Sequence, residues 1–276
     1  MESRLFRSLL RVWVALVLLF LFVPLAIIVV YAFNRSNVQS WPIASYSTKW
    51  FSVAWHDSDV RAAFLLSLKA GALATVVALV LGSCAAFAVH RYRFFGREAV
   101  SLLLVLPLAL PGIVTGVALA SFFLFAHVKL SLLTIVIGHA TFCIVVVYNN
   151  VIARLRRTTA SLTEASMDLG AHGLQTFRFI TLPVLRTALI AGALLAFALS
   201  FDEVIVTVFT AGAQDTLPLW IFGQLRLGQQ LPEVNVVVFA VILLTLLPVG
   251  IAGRLAGAGM VSRAAAAGAQ EQQGGA

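Results

Sequence analysis

Charge is what this sequence has least of. Only 11% of its 276 residues are charged, while 61% are hydrophobic. A soluble domain cannot hide that much apolar surface, so the chain reads as a polytopic membrane protein, in keeping with a mean hydropathy of +1.00. Lysine is reduced to Lys49, Lys69 and Lys129, none preceded by glycine, which excludes a phosphate-binding G-x-x-x-x-G-K loop. Any ATP that drives the protein is therefore expected on another chain. The sequence has no H-E-x-x-H, no Gly-Asp dipeptide and no Ser followed three residues later by Lys. That leaves little room for an intramembrane hydrolase. Cys84 and Cys143 both fall inside apolar runs, and His139 and His172 lack companions at ligand spacing. Neither a disulfide framework nor a metal site follows. The net charge of +8 does not imply nucleic acid, because the basic residues sit at the ends of apolar runs, where they set orientation.

What is present is a series of apolar runs. The first, about 12–33, follows Arg4, Arg7 and Arg11 and contains Pro24; at span length it is expected to be a retained helix rather than a signal peptide. The polar connection at 34–61 holds Trp41, Trp50 and Trp55, which suit interfacial anchoring, and leaves room for one short surface helix. Further spans are expected at about 62–89, 99–126, 131–153, 184–209 and 234–255. The expected fold is all-α and integral to the membrane, with six transmembrane helices in one domain, 1–256. An Ala/Gly/Gln-rich tail, 257–276, is expected to be disordered.

Six spans put both termini on one side. With that side cytoplasmic, thirteen of the nineteen basic residues fall in cytoplasmic segments. Arg35, Lys49, Arg61, Lys129 and Arg226 remain outside, and Lys69 lies within a span. The positive-inside rule then places the termini and the 154–183 connection in the cytoplasm.

Two spans carry unusual residues. The third holds Pro107, Pro111, Gly112 and Gly116, as a flexing pathway helix or a kinked packing helix would. The fifth holds Asp202 and Glu203. A charged carboxylate within a bilayer costs at least ~2.5 kcal/mol, so such residues face a cavity or a partner. On a continuous helix Glu203 shares a face with Ser200 and Thr207, and Asp202 points about 100° away. A pocket ringed by Phe197, Phe201 and Phe209 suits a cation. The simpler reading is a salt bridge, for instance to Lys69, or a hydrogen-bonded structural pair.

Between the fourth and fifth spans lies SLTEASMDLGAHGLQTFRFITLP, residues 161–183, polar where its flanks are apolar. Ser161 and Glu164 have the spacing of a capping box; Gly170 and Gly173 are able to end or bend a helix. Pro183 fits the first turn of the next helix. A helix, a bend and a second short helix are expected.

The spacing Glu164-Ala165-Ser166, then Gly170, Ile180, Leu182 and Pro183 resembles the EAA loop of permease subunits in binding-protein-dependent ATP-binding-cassette importers. Ser166 replaces the motif's second alanine. The segment Ser200 to Thr207, then Ala211-Gly212, Thr216 to Trp220 and Pro232 to Asn235, is similar to the second permease of spermidine/putrescine importers. The resemblance implies a multi-pass permease of the bacterial inner membrane. It would pair with a homologous permease, two ATP-binding subunits and an extracytoplasmic binding protein. It would bind no cofactor itself, with ATP and Mg held by the ATPase chains. Glu164, Ala165, Asp168, Gly170, Leu174, Phe177, Phe179 and Pro183 would couple to the ATPase. Ser200, Phe201, Asp202, Glu203, Thr207 and Trp220 would line the substrate pathway. A polyamine is the expected cargo; relatives in the superfamily move thiamine, ferric iron, sulfate or phosphonates. A passive membrane scaffold would not need an ATPase.

Overall fold

A computed structural model describes residues 4–159, 161–228 and 230–246. Its described residues are mainly helical, joined by turns and irregular segments such as 34–48, with one isolated bridge between Asn34 and Tyr46. They divide into two units, 58–223 and the two flanking segments.

In the flanking unit, α1 (Arg4–Ala32) runs unbroken through Pro24, as membrane helices tolerate. None of its most apolar window is buried, so it offers lipid or a partner a complete apolar surface. The expected short surface helix is α2 (Lys49–His56). Trp41 and Trp55 project from this connection, exposed. Phe33, Phe51 and Phe239 form a ring cluster with centroids 5.1–6.0 Å apart, which ties α2 to the last described helix, Leu231–Leu246. That helix is the first part of the sixth expected span; the rest of it and the expected tail lie outside the described residues.

The larger unit is built on three long helices: α3 (Ser58–Arg91), α6 (Leu132–Arg156) and α9 (Leu182–Phe201). Helices in lipid gain little from burying large apolar groups, so they associate through small residues that let backbones approach. The buried stripe of α3 is Ala63, Ser67, Ala70, Ala74, Ala78, Gly82 and Ala86, whereas Leu65, Leu73, Val76 and Val80 face outward. At Gly82 a β-carbon would come within 2.8 Å of the Ile144 carbonyl oxygen. Around that approach Tyr148, Val147, Val151, Leu155 and Leu185 complete the core.

The third expected span is not a kinked single helix. It is broken into α4 (Arg97–Ala109) and α5 (Gly112–Phe125), which meet at 102°. Proline disfavours helical geometry in the residue before it, and Leu110 and Pro111 are both extended (ψ 142° and 132°). Each arm, about 20 Å at 1.5 Å per residue, is too short to cross a hydrocarbon core of about 30 Å. Ser101 Oγ and Tyr148 Oη, 2.7 Å apart, fasten α4 to α6. Four described helices are thus long and apolar enough to span, or five with the broken pair taken as one.

Candidate functional site

The 161–183 segment begins with α7 (Ser161–Asp168). The helix starts at Ser161 itself, so a capping Ser161 is displaced by one position and the cap falls outside the described residues. Its other end is a complete Schellman motif: the Gly170 amide donates to Met167 O (2.9 Å) and the Ala171 amide to Ser166 O (3.1 Å). This requires Gly170 at φ +85°, a conformation that costs a β-carbon-bearing residue roughly 1 kcal/mol or more. Gly173 does not share this role; it opens α8 (Gly173–Thr176).

The second piece is not a separate short helix ending before Pro183. It continues without interruption through a π-helical turn (Phe177–Thr181) into α9. Pro183 explains the turn. It has no N–H to give Phe179, and its ring would crowd that carbonyl in α-helical register. Widening to five-residue hydrogen bonds, with the Leu182 amide donating to Phe177 O, absorbs the conflict.

Ser166 Oγ and Thr176 Oγ1, 3.1 Å apart, clamp α7 to this helix. The Phe177 ring meets Phe87 of α3 edge-on at 5.6 Å, so only part of it is free. Leu169, Leu174 and Phe179 are 88, 75 and 66% exposed, a larger apolar face than Leu174, Phe177 and Phe179 alone. Arg178 lies over the Phe179 ring at 5.7 Å. Ala165, Asp168 and Pro183 are exposed. Glu164 lines a cavity of about 460 Å³ beneath α7, together with His90, Arg91, Thr158, Thr159 and Phe177.

At the far end of α9 the helix stops. Asp202 is its last capping residue, and α10 (Ile205–Thr210) starts a new short helix. Ser200, Glu203 and Thr207 therefore do not form one stripe of a continuous helix. Glu203 Oε1 accepts the Val206 amide at 2.9 Å and so caps α10, while its backbone carbonyl accepts the Thr207 hydroxyl at 2.6 Å. Asp202 is exposed.

Ser200 and Thr207 are buried and turn inward onto His139 of α6. Its Nδ1 is 2.7 Å from Ser200 Oγ and its Nε2 is 2.8 Å from Thr207 Oγ1. The sequence offered no spacing signal for these companions, which lie 61 and 68 residues away. Of the expected aromatic ring, Phe197 and Phe201 do pack together, tilted by 31° with centroids 5.9 Å apart, and Phe64 meets Phe201 edge-on. Phe209 packs elsewhere, on Gly116 of α5, where a β-carbon would come within 2.5 Å of its ring. Trp220 is buried in α11 (Leu217–Leu227), a helix whose first amide, Leu217, donates to Ser67 Oγ at 2.8 Å. Among the described residues no group of His, Cys, Asp and Glu is arranged to hold a metal ion.

Comparison with known proteins agrees with this architecture. The putrescine transport system permease protein PotI of Escherichia coli K12 is 38% identical over 86% of this chain and 85% of its own length. The spermidine/putrescine transport system permease protein PotC of Haemophilus influenzae is 32% identical over 82% of this chain and 88% of its own. Among solved structures, a chain of a bacterial ABC transporter involved in import of the acidic polysaccharide alginate has the same fold. Its TM-score is 0.70 at 16% identity, covering 92% of this chain and 98% of that one. A family model for binding-protein-dependent transport system inner membrane components matches residues 78–258. The chain belongs to that family, and it is a transporter subunit rather than an enzyme.

Proposed function

We propose that this chain is one permease of an ATP-driven importer that carries polyamines into the cytoplasm by alternating access. One observation carries the reading. From Gly173 to Phe201 the chain is a single 29-residue helix, with the exposed apolar loop at one end and the acidic break at the other. Such a helix is about 44 Å long and transmits a push at α7–Gly170–α8 to Asp202 and Glu203 as a nearly rigid body. The names of the relatives, both polyamine permeases, support the cargo. So do the two carboxylates at the break, which directly follows the Phe197–Phe201 ring pair in the chain and suits an alkylammonium ion through charge and ring attraction. Ser200, Thr207 and Trp220, all buried, support the pathway from behind rather than facing the solute.

In this reading the second permease is homologous, two ATPase subunits hold ATP and Mg, and a binding protein delivers the solute from outside. The excess of basic residues in the segments taken as cytoplasmic supports an orientation with α7 and both termini on that side. Leu169, Leu174 and Phe179 enter a groove of the ATPase, and Glu164, Ala165 and Asp168 keep α7 in place around them. Uptake in proteoliposomes containing the whole transporter, competed with putrescine, spermidine and thiamine, tests the cargo. Competition by thiamine alone would replace the polyamine by another small solute of the same importer class.

A further inference from the structure

A break in a membrane helix needs something to hold its two ends in a fixed relation. Here the sequence LSFDEVIV supplies neither proline nor glycine to shape the break locally. Glu203 caps the start of α10 locally, but the groups that tie both sides of the break to a neighbour come from α6, which presents three polar side chains to the broken helix in order. Thr134 Oγ1 lies 2.7 Å from Thr210 O, at the end of α10. His139 bridges Ser200, before the break, and Thr207, after it. Cys143 Sγ donates to Ala196 O at 3.3 Å, one turn further back along α9.

The order of protons through the middle bridge follows from the inventory of donors. A backbone carbonyl only accepts, so the Thr207 hydroxyl gives its proton to Glu203 O. Thr207 Oγ1 must then accept from His139 Nε2–H. That leaves Nδ1 as an acceptor, to which Ser200 Oγ–H donates. The chain Ser200 to His139 to Thr207 to the Glu203 carbonyl is thus directional and fully used. It starts two residues before Asp202 and ends on the backbone of Glu203.

We infer that His139 is a positioning residue for transport: it sets the geometry of the break so that Asp202 and Glu203 meet the solute together. The inference rests on the proposal that these two acids face the transported amine. His139 itself touches no solute and acts only through Ser200 and Thr207. A phenylalanine at 139 fills the space but supplies neither hydrogen bond, and the two helix ends are then free to separate.

Two readouts on the complete transporter test this. The first does not depend on cargo. In a Cys84→Ser, Val204→Cys background, His139→Phe should speed labelling of residue 204 by a membrane-impermeant thiol reagent several-fold, with the complex still assembled. An unchanged labelling rate would overturn the inference. Should His139→Phe fail to assemble, Ser200→Ala with Thr207→Val removes both partners while leaving the imidazole, and is read in the same way. The second readout is a double-mutant cycle of uptake. His139→Phe should raise the apparent KM on the order of tenfold, yet add clearly less than that in an Asp202→Asn background, because part of its effect acts through the Asp202 contact already removed. Fully multiplicative effects would mark a structural role only, and overturn it. Unchanged uptake by Asp202→Asn alone would instead remove the substrate-contact proposal, with the labelling still deciding whether His139 sets the break.

Discussion

The amide of Leu182 donates to the carbonyl of Phe177, five residues back, and Pro183 follows immediately. This one wide turn fixes the rotation of the α8 end relative to α9, because a π turn shifts the helical register by one residue, or about 100°. Pro183→Ala restores the missing amide and removes the reason for the wide turn. The variant is expected to insert and assemble, with uptake lowered at least tenfold because Leu174 and Phe179 turn away from their partner. Uptake per assembled complex checks it.

Gly170 tests the loop differently. Its φ of +85° and its amide bond to Met167 O are both incompatible with proline, which fixes φ near −65° and has no N–H. Gly170→Pro is expected to leave the subunit inserted while abolishing uptake and stimulation of ATP hydrolysis. Normal uptake would count against any coupling role for the loop.

The acidic break separates charge from structure at one position. Glu203 caps α10 through a single oxygen, and glutamine retains an oxygen that accepts the Val206 amide. Glu203→Gln should therefore preserve thermal stability within experimental error, yet raise the apparent KM for a polyamine several-fold, as should Asp202→Asn. Unchanged kinetics in both would reduce the acids to structural groups.

The loop was legible in the sequence because its shape is set locally: glycine at a left-handed position, proline at a helix start, apolar residues between. Even there, the π turn was not visible: Pro183 does sit in the first turn of α9, as expected, but the turn arises because α8 runs on into α9 without a break. The bend of the third span was signalled by Pro107 and Pro111, but its size follows from Leu110 also leaving helical geometry. The break after Phe201 had no proline or glycine to signal it, and Glu203, which caps α10, was read as part of a continuous helix. The break is held by His139, far away in sequence and unremarkable by spacing. For the same reason the polar stripe through Ser200, Glu203 and Thr207 was an artefact of assuming one helix.

Packing predicts a fourth outcome. A leucine in place of Gly82 has no room beside Ile144 O and Val147, so α3 and α6 must separate. Overpacking of this kind costs about 1–3 kcal/mol. Gly82→Leu should lower the melting temperature of the detergent-solubilised complex by several degrees, whereas Leu73→Ala, on the outward face, should change it little.

The central claim is that the loop around Gly170 faces the cytoplasm and is gripped by a separate ATPase. The most direct test is thiol labelling of Leu174→Cys, in a Cys84→Ser background, in sealed vesicles of both orientations. The account predicts labelling by an impermeant reagent only from the cytoplasmic face, with strong protection when the ATPase subunits are bound. Labelling from the external face, or a rate indifferent to the ATPase, would contradict it.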